Sequence, residues 1–207
     1  DRWILSRLER TIRQVERSFD EYRLSAASKT LYNFVWEDYC SWYIELIKPD
    51  QPGTPIRPNS LNVATYVLYH ILRLMHPFTP FVSEEIYRQL SGAADNGQGV
   101  TLNFGPWPTT EGGHIDDDLE DSLKQIQEVV TAVRSIRSEL NVPPGRKSDL
   151  YIKVDDAVFG KLLEGHIQYF RSLARVENLH VGVNVKKPPL SASAVISGAE
   201  IFVPLEG

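Results

Sequence analysis

Apolar residues keep a helical period through the first two thirds of this chain, and strand-like alternation first appears at "DLYIKV", residues 149–154. That change of period limits the fold more than any other feature. Ile4, Leu5, Leu8, Ile12, Val15 and Phe19 recur at steps of three and four, the stripe of an amphipathic helix. A second helix is expected from between Leu24 and Ala27 to just before Pro49, since proline disfavours helix in the residue before it. After the proline-rich "DQPGTPIRPNS", Asn59 or Ser60 can cap a third helix running to about His76. Leu61, Ala64, Val67, Leu68, Ile71, Leu72 and Met75 would form its apolar face. Thr79-Pro80 reads as cap and first turn of a fourth helix ending near Leu90.

Beyond the glycine-rich stretches around residues 91–99 and 106–114, "DDDLEDSLKQIQEVVTAVRSIRSEL" is an acid-started, arginine-ended helix that suits its own dipole. The strand "DLYIKV" follows, then "AVFGKLLEGHIQYFRSLARV" with helical period. "NLHVGV", "ASAVISG" and "AEIFVPL" complete the chain as strands, the last two a hairpin through Gly198. The expected architecture is an α-helical bundle followed by a small α+β domain, divided as 1–112 and 113–207, with the helix 117–140 leading into the strands.

Composition narrows the functional classes. With 207 residues, 42% apolar and 24% charged, the chain can bury real cores. Its single cysteine, Cys40, rules out an intramolecular disulfide and suits a reducing, cytoplasmic setting. No apolar run approaches the roughly 18–20 residues of a membrane span. The chain opens on Asp1 without a methionine and stops just after a strand, so both ends read as cuts through a longer polypeptide.

A net charge of −5 speaks against a uniformly basic nucleic-acid binder, but the charge is unevenly spread. Five arginines lie between Arg2 and Arg17, against Glu9 and Glu16; six acids and no Lys or Arg lie between Glu111 and Asp121. Arg10, Arg13 and Arg17 share one helix face. That pattern is either a solvated face or a row of phosphate contacts.

The segment "WEDYCSWYIELIKP" crowds Trp36, Tyr39, Trp42 and Tyr43 together. At 3.6 residues per turn Tyr32, Trp36, Tyr39 and Tyr43 share a side, which reads as structural core. A base-stacking platform would need exposed rings with interleaved cations, whereas the charges inside this segment are Glu37, Asp38 and Glu45. The histidines (His70, His76, His114, His166, His180) show no metal-ligand spacing. Gly92, Gly97 and Gly99 lack the Lys-Ser/Thr of a phosphate loop, and no nucleophilic triad can be assembled. No catalytic residue is expected.

"LYNFVWEDYCSWYIELIKP" and "LRLMHPFTPFVSEEIY" resemble the anticodon-binding helical domain of class I aminoacyl-tRNA synthetases. The second string is similar across the branch that charges Val, Ile and Leu. The run Tyr39-Cys40-Ser41-Trp42-Tyr43-Ile44-Glu45 is similar to the valyl enzymes, as are "AVRSIRSELNVPPGRK" and the terminal "VPLEG". The resemblance implies a non-catalytic, tRNA-binding piece of an ATP-dependent ligase, with tRNA(Val) and the rest of the parent chain as partners, and neither DNA nor membrane. ATP and Mg would belong to the parent's catalytic domain, whose signatures are lacking here; Ser28-Lys29-Thr30 is not one of them. A first helix of the family's bundle would precede Asp1, and a coiled coil would follow Gly207. Under this resemblance Arg10, Arg13 and Arg17, with Arg134, Arg137, Arg146 and Lys147 as a second basic group, are the candidate tRNA contacts. The alternatives are the same region of an isoleucyl enzyme, disfavoured by the Cys-x-Trp-Tyr run, and a helical protein–protein interaction module.

Overall fold

The computed structural model describes residues 1–49, 53–91, 101–110, 112–143 and 145–204. These divide into two compact units, Asp1–Asp117 and Asp118–Gly207. Residues 113–117, read from the sequence with the second domain, fold with the first. There the His114 N–H donates to Glu9 (2.9 Å) and the Asp116 N–H to Ser6 Oγ (3.0 Å).

The first unit is helical. Helix α1 (Arg2–Asp20) buries Ile4, Leu8, Ile12 and Val15 along its expected stripe, with Trp3 beside them. It ends in a tight reversal through Tyr22, whose φ is +55°. Helix α2 (Leu24–Asn33) then runs without a break into a π-helical stretch, Phe34–Tyr43, and closes as α3 (Ile44–Ile47). The Ile44 N–H donates to the Tyr39 carbonyl, five residues back, and Ser41 Oγ to the Trp36 carbonyl (2.7 Å). Such i→i−5 bonding turns the chain less per residue than an α-helix does. Phe34, Tyr39 and Tyr43, at steps of five and four, therefore share the inner face and are 2%, 7% and 2% exposed.

Trp36 is carried away from that face and is 57% exposed, as is Tyr32 at 64%; Trp42 is half-buried. The expected four-ring core of Trp36, Tyr39, Trp42 and Tyr43 is corrected on this point: Trp36 is a surface residue, because the helix is not wound at 3.6 residues per turn.

Helix α4 (Pro58–Met75) packs against α1, α2 and α3, and α5 (Pro80–Leu90) packs against α4. Its buried line is Ser60, Ala64, Val67, Ile71, Leu72 and Leu74, whereas Leu61 is exposed. Neither expected cap operates. Asn59 Nδ2 (2.8 Å) and Ser60 Oγ (3.2 Å) both donate to Oδ2 of Asp1, and Tyr43 Oη donates to Oδ1 (2.8 Å). One carboxylate thus ties the start of α1 to the π-helical stretch and to the first turn of α4. The Thr79 hydroxyl donates back to the Met75 carbonyl (3.3 Å) and accepts no N–H of α5.

In the second unit α6 (Asp117–Glu139) buries Leu123, Ile126, Val129, Val130, Val133 and Ile136 on one face. Strand β1 (Ser148–Val154) follows, and α7 (Ala157–Gly165) and α8 (Ile167–Ala174) cross over to β2 (Val176–Gly182), parallel to β1. The continuous helix expected over this crossover breaks at His166 (φ −122°, ψ 26°), directly after Gly165. Strands β3 (Ser191–Ile196) and β4 (Ala199–Pro204) form the expected hairpin, with Gly198 at φ +78° in its turn. β4 lies antiparallel to β1, so the sheet order is β2-β1-β4-β3. Leu150, Ile152 and Val154 of β1, Val176 of β2, and Ala199, Ile201, Phe202 and Val203 of β4 are the buried apolar residues of the sheet.

Arg137, only 7% exposed, fastens α6 to this sheet. Its guanidinium donates to Ser148 Oγ (3.0 Å) and to the carbonyls of Pro143 (3.3 Å) and Arg146 (2.5 Å).

Three outcomes test this packing. Tyr39→Ala removes a buried ring and its bond to the Ala64 carbonyl (2.9 Å), and should destabilise the first unit by about 3–5 kcal/mol in denaturant titration. Trp36→Ala should cost less than about 1 kcal/mol; similar costs for the two would contradict the π winding. Burial pushes the phenols of Tyr39 and Tyr43 up to about 12. The folded unit then keeps protons that the unfolded chain releases near 10, so stability should fall as pH rises from about 10 to 12, and fall less in Tyr39→Phe. Arg137→Met should destabilise the second unit by about 2–3 kcal/mol, since hydrogen bonds from a charged donor are lost.

Candidate nucleic-acid interface

The arginines of α1 do not form an open cationic row. Arg2 pairs with Asp116 (2.7 Å), Arg7 with Asp38 (2.9 Å), Arg10 with Asp117 and Arg13 with Glu9 (2.5 Å). The sequence separates its arginine-rich and acid-rich segments by about a hundred residues, and the fold lays one on the other. Glu9 is 4% exposed and takes both Arg13 and the His114 N–H. Arg10 and Arg13 keep 40% and 52% of their side-chain surface in solvent. Arg17 is exposed and makes no ion pair among the described residues. Exposed pairs such as Arg2–Asp116 and Arg10–Asp117 are worth only about 0–1 kcal/mol, so a phosphate can compete for these guanidinium groups, but it must displace an acid to do so, and at Arg13 at greater cost because the buried Glu9 would lose its partner.

The second basic group splits by role. Arg137 is removed from the candidate contacts: it is buried and engaged by three acceptors. Arg134 spends its Nε on the Leu173 carbonyl at the end of α8 (2.8 Å). Arg146 and Lys147 are exposed in the turn before β1. A residue that the sequence reading passed over joins them. Arg175 ends α8 in the left-handed conformation (φ +56°), and its carbonyl accepts the Ser148 N–H (3.2 Å). Burial lowers the Arg137 pKa, and the charges of Arg146 and Arg175 lower it further, which places three guanidinium groups within electrostatic reach at one end of the sheet. The signal for Arg175 was a basic residue directly after a helix and before a strand, but only the β1–β2 pairing shows that it returns to Ser148.

The aromatic surface is the third element. Lys29 and Tyr32, one turn apart, are exposed on α2, and Trp36 continues the exposed aromatic surface into the π-helical stretch. Two accessible rings with a lysine alongside are the equipment of a stacking platform, although Glu37 is exposed next to Trp36. Among the described residues no group of three or more His, Cys, Asp or Glu side chains is placed to hold a metal ion. No helix there is long and apolar enough to cross a membrane.

Comparison with known proteins gives this surface its context. A family model described as the anticodon-binding domain of tRNA ligase matches residues 1–152. Among curated proteins, a valine–tRNA ligase of Geobacillus kaustophilus is 35% identical over 209 residues, covering 100% of this chain. That of Listeria monocytogenes is 36% identical over 208 residues, again covering 100% of this chain. That of Lactiplantibacillus plantarum is 37% identical over 207 residues, covering 99% of it. The chain spans 23% of the length of each of these relatives and matches their C-terminal end, away from the catalytic domain. The matched family reaches from α1 through α6 into β1, and takes in the aromatic surface and the basic turn alike. This chain belongs to the family of tRNA-ligase anticodon-binding domains.

Proposed function

We propose that this chain is the tRNA-binding part of a valine–tRNA ligase, that its ligand is tRNA(Val), and that it works in the cytoplasm. The observation that carries this reading is the similarity along essentially the whole chain to proteins named valine–tRNA ligase, with the anticodon-binding family over 1–152. Nothing found favours the isoleucyl alternative or a generic helical module. ATP and Mg serve the catalytic domain of the longer protein, and no residue here is assigned to them.

Choosing a tRNA is a task separate from choosing an amino acid. A hydrophobic amino-acid pocket separates close analogues by only about 1–3 kcal/mol per methylene. Unpaired loop bases, by contrast, can be splayed, stacked and read on their edges. Tyr32 and Trp36 supply the stacking faces in this reading. Arg17, Arg146, Lys147 and Arg175 supply phosphate contacts, and Arg10 and Arg13 contribute after exchanging their acids.

The reading is tested by titrating the chain with valine and isoleucine tRNA transcripts at low and moderate salt. Salt-sensitive binding that prefers the valine transcript is expected, and an absence of binding at low salt would reject tRNA recognition by this chain. Trp36→Ala should weaken binding by about 1–3 kcal/mol while leaving the fold intact.

A further inference from the structure

Helix α5 presents three faces. Ser83 and Tyr87 are buried on the side that packs against α4. Glu85, Arg88 and Gln89 form a polar side whose members engage one another: Arg88 pairs with Glu85 (3.4 Å), and Gln89 Nε2 donates to the same carboxylate (3.0 Å). Val82, Ile86 and Leu90 recur every four residues along a third face, and all three are exposed. Phe81, next to the start of that stripe, is 89% exposed.

A second phenylalanine is held out beside this helix by a fixed turn, Leu102–Phe104. Leu102 packs on Leu72 and Tyr87, its N–H donates to the Glu84 carboxylate (3.0 Å), and the Asn103 side chain meets His76 Nε2 (3.1 Å). Phe104 itself is 91% exposed. The backbone is tied to α4 and α5 while the ring stands in solvent. A ring presented in this way is preorganised, and it loses little freedom when a partner covers it.

The surface excludes two occupants. Polyanions find no anchor, since Arg88 is the one cation of α5 and is already paired, whereas the surface of Tyr32 and Trp36 has Lys29 beside it. A separate protein finds too little area. Eleven residues of helix make a strip about 16 Å long and 10 Å wide, well below the roughly 800 Å² that each partner gives up in a stable complex. Such a strip suffices for a covalently attached partner, because the linkage has already met the entropy of association and holds the effective concentration near about millimolar. The relatives contain one. This chain spans 23% of their length and matches their C-terminal end, so more than three quarters of each lies outside the match.

We propose that the stripe Val82-Ile86-Leu90, with Phe81 and Phe104, docks against the preceding part of the longer valine–tRNA ligase and fixes the orientation of the tRNA-binding part on it. The inference rests on the ligase reading given above.

Thiol labelling tests it. Ile86→Cys and, on the polar side, Arg88→Cys are placed in this chain and in the full-length ligase, and iodoacetamide alkylation is read at each position by mass spectrometry. Ile86→Cys should react at least about tenfold more slowly in the full-length protein, and Arg88→Cys equally in both. Adding Phe81→Asp and Phe104→Asp to the full-length protein should restore fast labelling at Ile86→Cys. Equal labelling at Ile86→Cys in a ligase that still attaches valine to the transcript overturns the docking and leaves the ligase reading standing. Slowing that appears in this chain as its concentration rises marks a second copy, and slowing that appears only with added tRNA marks RNA; either overturns the proposal. A full-length protein that attaches no valine overturns the ligase reading, and this inference with it.

Discussion

The winding of Phe34–Tyr43 decides what the first unit keeps inside and what it shows to solvent. A π-helical turn closes bonds of poorer geometry than an α-helix, and well under 1% of residues in globular proteins adopt it, so ten consecutive residues need outside support. That support is visible. The Tyr39 hydroxyl reaches the Ala64 carbonyl on α4, the Tyr43 hydroxyl reaches the Asp1 carboxylate, and Arg7 holds Asp38. These bonds run to α1 and α4, so the stretch is fixed by tertiary contacts rather than by its own propensity. The same winding delivers Trp36 to the surface.

Charge is arranged by a comparable constraint. Asp116 and Asp117 reach Arg2 and Arg10 across more than a hundred residues of chain, and the polarised sequence becomes a largely neutralised surface. A protein built this way cannot rely on a broad positive field to hold a polyanion. On the proposed tRNA-binding reading, affinity would rest on a few cations and on stacking rather than on such a field.

The sequence disclosed the elements whose signals are local. The stripe of α1, the acid-to-arginine polarity of α6, the Gly198 hairpin and the strand at 149–154 follow from side-chain period and from glycine's freedom. It misled where a distant partner intervened. Asn59 and Ser60 have the chemistry of caps, but the Asp1 carboxylate takes them. Arg137 reads as a helix-end cation until the sheet closes over it. A single helical pitch of 3.6 residues per turn groups Trp36 with Tyr39, and the π winding separates them. The candidate site was less legible than the fold, because ion pairing and burial, rather than residue type, determine which cations remain available.

The two units carry different recognition chemistry. In the first, exposed cations are mostly paired and the distinctive features are the exposed rings of Tyr32 and Trp36. Contacts of that sort depend on shape and on desolvated hydrogen bonds, which salt screens little. In the second, Arg146, Lys147 and Arg175 converge near the start of β1, and such cations bind phosphate through counterion release, which salt opposes steeply. On the proposed tRNA-binding reading, stacking on the first unit and phosphate contact on the second would be separable by their dependence on ionic strength.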